Sequence, residues 1–395
     1  MKQIIDEGIK SPQKFLSAPV LTKEYCQNAI KLVLKKIDRN MEMFKDKYPA
    51  PASVNNIYPA IDNIDWTSSF WTGMLWLAYE VSGDEKYRKA AENQLISYQK
   101  RIDERIYTDT HDLGFLYTLS CIAAFKLTGN TEAMSSALKA ADLLMVRYFD
   151  KAGIIQAWGD LNDPGNRGRM IIDCCMNLPL LYWAAEITGD KKYYDAAYNH
   201  VKQAARNIIR DDASSFHTFY MDVENGQPKY GKTAQGFSDN SCWARGQAWG
   251  IYGFTLSYIY TGDWELIELN KKVINYFINR LPEDFICYWD LFFTEGSEER
   301  DSSAAAIAAC GLLEMCRNLP LTEENKRVYE NASLNIINSL SKGYTSVNCP
   351  ESNGVLLHAV YSKPDGKGID ECNIWGDYFY FEALVRLIKN WKLYW

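Results

Sequence analysis

The feature that most constrains this chain is a repeated unit in which an apolar helix, a glycine turn and a one-sided helix follow one another. Four such turns are Ser82-Gly83-Asp84, Thr128-Gly129-Asn130, Thr188-Gly189-Asp190 and Thr261-Gly262-Asp263. Glycine allows the left-handed conformation that ends a helix, and the Asp or Asn after it caps the next helix. The turns recur at irregular intervals of about 45 to 75 residues, which indicates a degenerate repeat with loop insertions.

The two helices of a unit differ in how their apolar residues are distributed. Residues 66–81 are apolar nearly all round, whereas Met134, Leu138, Ala141 and Met145 fall on one face of a later helix. A helix that is apolar all round must be buried, and a one-sided helix lies outside it. Six units are predicted, so the fold class is all-α, an (α/α)6 barrel of six inner and about six outer helices.

An open helical solenoid is the structural alternative. The last unit lacks a full outer helix, and the amphipathic residues 22–45 can fill that gap, which favours a closed ring. Residues 1–395 are therefore expected to form a single barrel domain, with 1–21 as an N-terminal extension.

In a closed barrel all inner helices start at the same end, so their first residues surround one mouth. These residues are Trp66, His111, Asp112, Asp173, Trp243, Arg245, Asp301, Trp375 and Asp377. The insertions 146–172, 210–242 and 345–374 precede inner helices and decorate the same mouth. Function commonly lies on loops at one end of a rigid scaffold.

Asp173 lies between an apolar run and a hydrophobic helix, where it is either a helix cap or a proton donor. Proline is tolerated only near the first turn of a helix. Pro179 therefore places the regular helix start at about Asn177, with Asn177 the better cap. Asp173 then lies in the approach to the helix, where burial and repulsion from Asp112 would raise its pKa. This favours the acid.

Aromatic residues make up 14% of the chain, which suits a site that stacks sugar faces. Five tryptophans are predicted at or just inside the mouth, namely Trp66, Trp71, Trp158, Trp243 and Trp249. As a set they suggest a sugar-stacking wall. His111 and His217 lie at this end, whereas His200 and His358 are interpreted as structural.

Arg245 begins an apolar helix between Trp243 and Trp249. A buried Arg without a partner is very costly, so Arg245 should meet a carboxylate. That carboxylate is either internal, with Asp239 as a candidate, or belongs to a ligand.

Composition and charge argue against several classes. A net charge of −7 is not the footprint of a nucleic-acid binder. The ten cysteines lack CxxC spacing and the four histidines lack HxH or HExxH patterns, so neither disulfides nor zinc are expected, and no metal or cofactor is predicted. The N-terminus lacks the apolar core of a signal peptide and no apolar run reaches membrane-spanning length, so a cytoplasmic protein without a membrane partner is predicted.

Several motifs together resemble the unsaturated glucuronyl hydrolases, glycoside hydrolase family 88. They are Asp65–Gly73, His111–Phe115, Asp173–Pro179, Ser241–Trp249 and Trp375–Phe379. The resemblance runs from about residue 20 to the C-terminus. It implies an (α/α)6 barrel that removes a 4,5-unsaturated uronic acid from disaccharides or short oligosaccharides left by polysaccharide lyases. The chemistry implied is hydration of the C4=C5 double bond.

The resemblance also implies roles for individual residues. Asp173 matches the general acid and base, and Asp112 matches a second essential Asp. Seven further residues match the subsite for the unsaturated sugar, namely Trp66, His111, Trp158, His217, Gln235, Arg245 and Trp249.

Some members that accept sulfated fragments carry Ser-x-x-Ser-x-Lys before the last inner helix. Here Ser362 and Lys367 remain, but Asp365 replaces the second Ser. A carboxylate repels a sulfate, which argues against sulfated substrates, although Lys363 could compensate, so sulfate tolerance stays open. The alternatives to the main function are an unsaturated rhamnogalacturonyl hydrolase and a non-catalytic sugar-binding barrel. The source polysaccharide and the oligomeric state stay open.

Overall fold

The computed structural model describes residues 3–395 and is dominated by α-helices. In chain order these are α1 (Lys23–Met43), α2 (Ser68–Ser82), α3 (Glu85–Asp103), α4 (Leu113–Tyr117), α5 (Ala123–Thr128), α6 (Thr131–Met145), α7 (Pro179–Thr188), α8 (Lys191–Gln203), α9 (Ala244–Thr261), α10 (Trp264–Ile278), α11 (Ser302–Asn318), α12 (Lys326–Ser339) and α13 (Ile374–Ile388). A π-helical segment, Thr118–Ile122, joins α4 to α5, so the two act as one interrupted helix.

The helices form two concentric layers, as the distribution of apolar residues predicts. In the inner helix α9 every residue from 244 to 257 is buried. The outer helix α8 buries one face, which carries Tyr193, Ala197 and Val201. The inner layer consists of α2, α4–α5, α7, α9, α11 and α13, and the outer layer of α1, α3, α6, α8, α10 and α12. The predicted (α/α)6 barrel is confirmed.

The ring is closed by contacts between the two ends of the chain. Helix α13 packs against α2, and α1 packs against α13 as its outer partner. Residues 23–43 thus supply the outer helix missing from the last unit, and an open solenoid is excluded.

The glycine turns have the predicted chemistry. Gly83, Gly129, Gly189 and Gly262 each have a positive φ, between 67° and 72°. The next residue caps the following helix: the side chains of Asp84, Asn130, Asp190 and Asp263 each accept a hydrogen bond from a backbone N–H of the first turn. Local sequence therefore determines where these helices end and restart.

Short strands build the loops of the mouth. They are β1 (Tyr48–Pro49), β2 (Ala60–Ile61), β3 (Tyr148–Phe149), β4 (Ile154–Ile155), β5 (Arg169–Ile171), β6 (Thr218–Met221), β7 (Pro228–Lys232), β8 (Ala359–Ser362) and β9 (Lys367–Glu371). All pairs are antiparallel: β1–β2, β3–β4, β5–β6–β7 and β8–β9. The connection 279–301, which is not among the three predicted insertions, also reaches the mouth, through a bridge between Asp290 and Trp243.

The opposite end of the barrel is closed by the residues that follow α13. The Trp395 ring stacks on Phe379 with a centroid distance of 5.9 Å and contacts Phe115 at 6.0 Å. Its indole N–H donates to the buried Glu382, and its carbonyl accepts from Lys126 and Tyr260, which lie near the ends of α5 and α9.

Of the predicted N-terminal extension 1–21, residues 1 and 2 lie outside the described residues. The remainder contacts the outer helices, where Asn279 bonds Gly8 and Asn331 bonds the backbone of Phe15. That the chain forms a single domain stays a prediction. No helix in the described part of the chain is long and apolar enough to cross a bilayer.

Candidate active site

A cavity of about 250 Å³ opens at the mouth of the barrel. Its walls combine carboxylates, aromatic rings and a few cationic or amide groups. The lining residues are Trp66, Asp112, Trp158, Asp173, His217, Gln235, Trp243, Arg245, Tyr361, Ser362, Asp365 and Lys367. Nine of the eleven predicted site residues therefore meet in this cavity, and His111 and Trp249 do not line it.

Two carboxylates line the floor of the cavity, and a buried imidazole that does not itself line the cavity lies between them. The Nε2 atom of His111 lies 3.3 Å from Asp112 Oδ1 and 3.6 Å from Asp173 Oδ1. One ligand atom from each of the three residues lies within 4.8 Å of the others. The second oxygen of Asp112 accepts a hydrogen bond of 2.6 Å from the Thr110 hydroxyl. The predicted proximity of the two Asp residues is thus observed.

The surroundings of this pair favour a bound proton. Burial raises the pKa of Asp173 well above its usual range, and the negative charge of Asp112 raises it further. Burial also raises the pKa of Asp112 to about 6, against the hydrogen bonds from Thr110 and Asn177. Burial lowers the pKa of His111 to about 3, as do the charges of Arg147 and Arg169, so its imidazole is neutral. A neutral imidazole leaves the proton on the carboxylates.

The helix start predicted at about Asn177 agrees with α7 to within two residues, but the assignment of Asn177 as its cap is wrong. Residues Ile172–Met176, which include Asp173, form a 3-10 helix, and α7 begins at Pro179 without a side-chain cap. The side chain of Asn177 instead links two elements: its Oδ1 accepts from the Phe115 backbone N–H at 2.7 Å, and its Nδ2 donates to the Asp173 carbonyl. Local sequence favours a cap at Asn177 because it carries no information about the distant partner in α4.

The aromatic wall is formed by fewer tryptophans than predicted. Trp66 stacks on Trp375 at 5.2 Å and donates a hydrogen bond to the Tyr361 hydroxyl. The guanidinium of Arg169 lies 4.1 Å from the centroid of Trp158 and so covers one face of that ring.

Two of the five predicted tryptophans are elsewhere. Trp71 is buried against Phe44 and lines a groove between α1 and α3 on the outside of the barrel, so its assignment to the wall is wrong. Trp249 is buried and packs on Phe115 and Phe379, behind the wall. Helical periodicity identifies both as buried but does not give the direction in which each ring points.

His217 presents a hydrogen-bond donor to the cavity. Its Nδ1 accepts from the backbone N–H groups of Ala234 and Gln235, at 3.0 and 3.1 Å. Burial lowers its pKa to about 3, with contributions from Arg245 and Arg169. Because Nδ1 accepts hydrogen bonds, the proton of the neutral ring is on Nε2, which is free to donate.

Arg245 meets an internal carboxylate, one of the two predicted alternatives, but the partner is Asp301 and not the candidate Asp239. Its Nη1 donates to Asp301 at 3.1 Å and to the Val360 carbonyl, and its Nη2 donates to Gln235 Oε1 at 3.0 Å and to the Tyr361 carbonyl. Asp239 instead accepts from the Thr233 backbone N–H. Four of the five N–H groups of Arg245 are thus used internally, which leaves only Nε without a partner. Asp301 is 56 positions away in sequence, beyond the reach of local patterns.

One corner of the cavity carries the residues that the family resemblance associates with sulfate. Asp365 accepts a hydrogen bond of 2.7 Å from the Ser362 hydroxyl, and Lys367 lines the same cavity. Lys363 is paired with Glu298 and Glu299. The positive charge of Lys363 is therefore paired with glutamates and does not offset the negative charge of Asp365.

Tyr361 and Asn177 contribute to the site but are not among the predicted site residues. Adjacency to the predicted Ser362 was the signal that could have indicated Tyr361. His111, Asp112 and Asp173 also have the spacing of a cation site. The expectation that no metal binds stays a prediction.

A family profile and curated relatives identify the same group of enzymes. The profile of Glycosyl Hydrolase Family 88 matches residues 36–342. The unsaturated chondroitin disaccharide hydrolase of Streptococcus pneumoniae is 50% identical over 396 residues, which cover 100% of both chains. The unsaturated glucuronyl hydrolase of Bacillus sp. strain GL1 is 45% identical over 93% of this chain and 98% of that protein.

Solved structures agree with these relatives. The unsaturated glucuronyl hydrolase of Streptococcus agalactiae superposes with a TM-score of 0.98 at 49% identity over 100% of both chains. A variant of that enzyme complexed with dGlcA-GalNAc6S gives a TM-score of 0.90 at 47% identity, again over 100% of both chains.

The family match and these relatives show that the chain is a carbohydrate-cleaving enzyme, a glycoside hydrolase, and its buried carboxylate pair beneath an aromatic mouth agrees with that class. The chain belongs to glycoside hydrolase family 88. The predicted activity, hydrolytic removal of a 4,5-unsaturated uronic acid from lyase-generated oligosaccharides, is confirmed over the rhamnogalacturonyl and non-catalytic alternatives.

Proposed function

We propose that this enzyme cleaves unsaturated disaccharides of the chondroitin type, with Asp173 as general acid and base and Asp112 as its partner. The observation that carries the proposal is the buried pair of carboxylates, of which Asp173 has the more strongly raised pKa. A general acid needs such a pKa to hold a proton near neutral pH. The names of the streptococcal relatives support the substrate class.

The proposed reaction is a hydration. Asp173 donates its proton to C4 of the C4=C5 double bond, and positive charge develops at C5. The Asp173 carboxylate then takes a proton from a water molecule whose oxygen bonds to C5. The resulting hemiketal opens as the C5–O5 bond breaks, which leaves a ketone at C5 and a hemiacetal at C1. Collapse of that hemiacetal breaks the C1–O bond to the second sugar, which leaves with the hydroxyl proton, and an open-chain keto acid with an aldehyde at C1 remains. Because neither Asp attacks C1, the carboxylate separation rule for retaining and inverting glycosidases does not apply.

The other lining residues position the substrate in this proposal. Trp66 and Trp158 hold the faces of the unsaturated ring, and the Nε2–H of His217 donates to it. Arg245 holds Gln235 and the 360–361 backbone in place, since most of its donors are engaged internally. Trp249 supports the wall from behind through Phe115.

The test is a turnover assay with an unsaturated chondroitin disaccharide, followed by loss of the ultraviolet absorbance of the conjugated alkene carboxylate. Asp173→Asn is expected to lower kcat by about a thousand-fold or more with little change in Kd, because it removes the proton donor and keeps the shape. Residual turnover near the wild-type rate would show that a group other than Asp173 transfers the proton.

Addition of a chelator is a matched control for this assay. A divalent cation held by His111, Asp112 and Asp173 would keep both carboxylates ionised and so remove the proton that the reaction needs. Turnover is therefore expected to be unchanged after chelation, and its loss would contradict the acid-base assignment.

We further propose that the enzyme prefers unsulfated disaccharides. Asp365 lies in the cavity beside Lys367 and is held there by Ser362. Its negative charge opposes a sulfate in that corner, and Lys363 is neutralised by two glutamates.

Asp365→Asn should raise kcat/KM for a 6-sulfated disaccharide by about ten-fold, because a like-charge repulsion worth roughly 1.4 kcal/mol is removed. The unsulfated disaccharide should change less than about two-fold. The measurement is kcat/KM for both substrates, with Asp195→Asn, at an exposed position of the outer helix α8, as a control. An equal effect on both substrates would show that Asp365 does not face the sulfate position.

We infer a cytoplasmic location, since all ten cysteines are free and nine of them are buried. Chains exported to oxidising compartments seldom retain so many unpaired thiols. Fractionation of the source cells tests the inference.

A further inference from the structure

Four aromatic side chains lie beside the cavity and are here called the Phe platform: the exposed Phe237 and Phe292, the partly buried Phe293 and the buried Trp289. Phe237 and Phe292 are 52% and 65% exposed. Their rings stack with a centroid distance of 5.3 Å and an interplanar angle of 21°. Phe293 meets Phe237 edge-on at 5.1 Å. Contiguous exposed aromatic surface of this kind commonly marks a binding site.

The platform is held by one buried carboxylate. Asp290 is fully buried, and its Oδ2 accepts from the Phe237 backbone N–H at 2.9 Å and from the Ser241 hydroxyl at 2.7 Å. Its Oδ1 accepts from the Phe292 backbone N–H at 3.0 Å. A single side chain therefore orders the backbone beneath both exposed rings, so that little conformational entropy is lost when a ligand binds there.

The platform is continuous with the cavity along three chain segments. Gln235, which lines the cavity, is two residues from Phe237. Asp290 bridges to the cavity residue Trp243. Ser362, also in the cavity, precedes Lys363, whose Nζ lies 5.3 Å from the Trp289 ring centroid.

We propose that the Phe platform is a distal sugar subsite, which stacks against the apolar face of a pyranose in trisaccharide and tetrasaccharide substrates. A cavity of about 250 Å³ is too small for a whole tetrasaccharide, so the reducing-end sugars must leave it over the rim. Flat aromatic rings suit the apolar face of a pyranose. The inference rests on the proposed function, because the unsaturated end of the substrate must occupy the cavity.

The test compares a disaccharide with a tetrasaccharide of the same unsulfated chondroitin type. The double variant Phe237→Ala and Phe292→Ala should lower kcat/KM for the tetrasaccharide by about five- to ten-fold, mainly through KM, because a stacked ring is lost. The disaccharide should change less than two-fold. Trp264→Ala is the matched control, since Trp264 is 40% exposed and begins α10 at the opposite end of the barrel.

Binding to catalytically impaired protein separates this inference from the proposed function. Calorimetry on Asp173→Asn protein measures the Kd of the tetrasaccharide with and without the platform substitutions, whether or not the parent enzyme turns over. A five- to ten-fold weaker Kd supports the subsite. Equal losses of affinity for the disaccharide and the tetrasaccharide, or no loss for either, would overturn it. A change of oligomeric state in sedimentation would also overturn it, because the platform would then bind a second copy of the chain.

Discussion

At the scale of single residues, Asp112 and Asp173 show how surroundings divide two identical side chains into different roles. Asp112 accepts a hydrogen bond from Thr110, which stabilises its ionised form. Burial and the charge of Asp112 raise the pKa of Asp173 well above its usual range. The proton therefore belongs on Asp173 at neutral pH.

This arrangement predicts a pH-dependent stability. Folding raises the pKa of Asp173 above its value in the unfolded chain, so the native state binds the proton more tightly. The resulting stability is fully present at low pH and is lost as the pH rises through the folded pKa. Asp173→Asn removes this titration and should raise Tm by a few degrees at about pH 8, but little at about pH 4.5, relative to wild type.

Thermal unfolding at both pH values measures the difference, and Asp195→Asn, at an exposed position of the outer helix α8, is the control. A larger gain in Tm at the lower pH would reverse the sign of the inferred pKa shift.

At the scale of elements, the close approach of α4 to the 3-10 segment brings the two carboxylates together. A Cβ atom at Gly114 would lie 2.3 Å from Asn177 Cα and 2.4 Å from its carbonyl oxygen. Only glycine permits this close contact. The Asn177 side chain also accepts a hydrogen bond from the Phe115 backbone N–H. Packing against Asn177 therefore explains why the His111–Phe115 motif contains a glycine.

Gly114→Ala should therefore push α4 away from Asn177. We expect a loss of about 1–3 kcal/mol in the free energy of unfolding, from overpacking. We also expect kcat/KM to fall about a hundred-fold, because displacement of Asp112 relative to Asp173 disturbs the reacting geometry. Denaturant unfolding and disaccharide turnover are the measurements.

Gly343→Ala is the matched control, since a Cβ atom there meets nothing within 4 Å. If Gly114→Ala retained full activity despite lower stability, the contact would be structural only.

At the scale of the whole molecule, the barrel is closed below the site by its own C-terminal residues. Trp395 packs on Phe115, and Phe115 in turn contacts Trp66 and Trp249 at 5.5 and 5.2 Å. The floor of the cavity thus rests on an aromatic stack that runs through the barrel to the opposite end.

Trp395→Ala should lower the free energy of unfolding by about 3–5 kcal/mol, because it leaves a large cavity among buried rings. Trp395→Phe should recover part of that loss, and Leu321→Ala, at a position 92% exposed, should change it by less than about 0.5 kcal/mol. Denaturant unfolding monitored by circular dichroism tests this. A loss for Trp395→Ala no larger than that for Leu321→Ala would show that the stack does not support the barrel.

The sequence alone was sufficient for the helical layers, the glycine turns and the end of the barrel at which Asp112 and Asp173 meet. These features follow from periodicity and from hydrogen bonds within a few residues, which are local properties of the chain. Only the tertiary structure decided that Arg245 pairs with Asp301, that Asn177 joins Phe115 to Asp173, and that Trp71 faces away from the cavity. Those contacts depend on how the closed ring brings together residues that are far apart in sequence, and a local pattern carries no information about that distance.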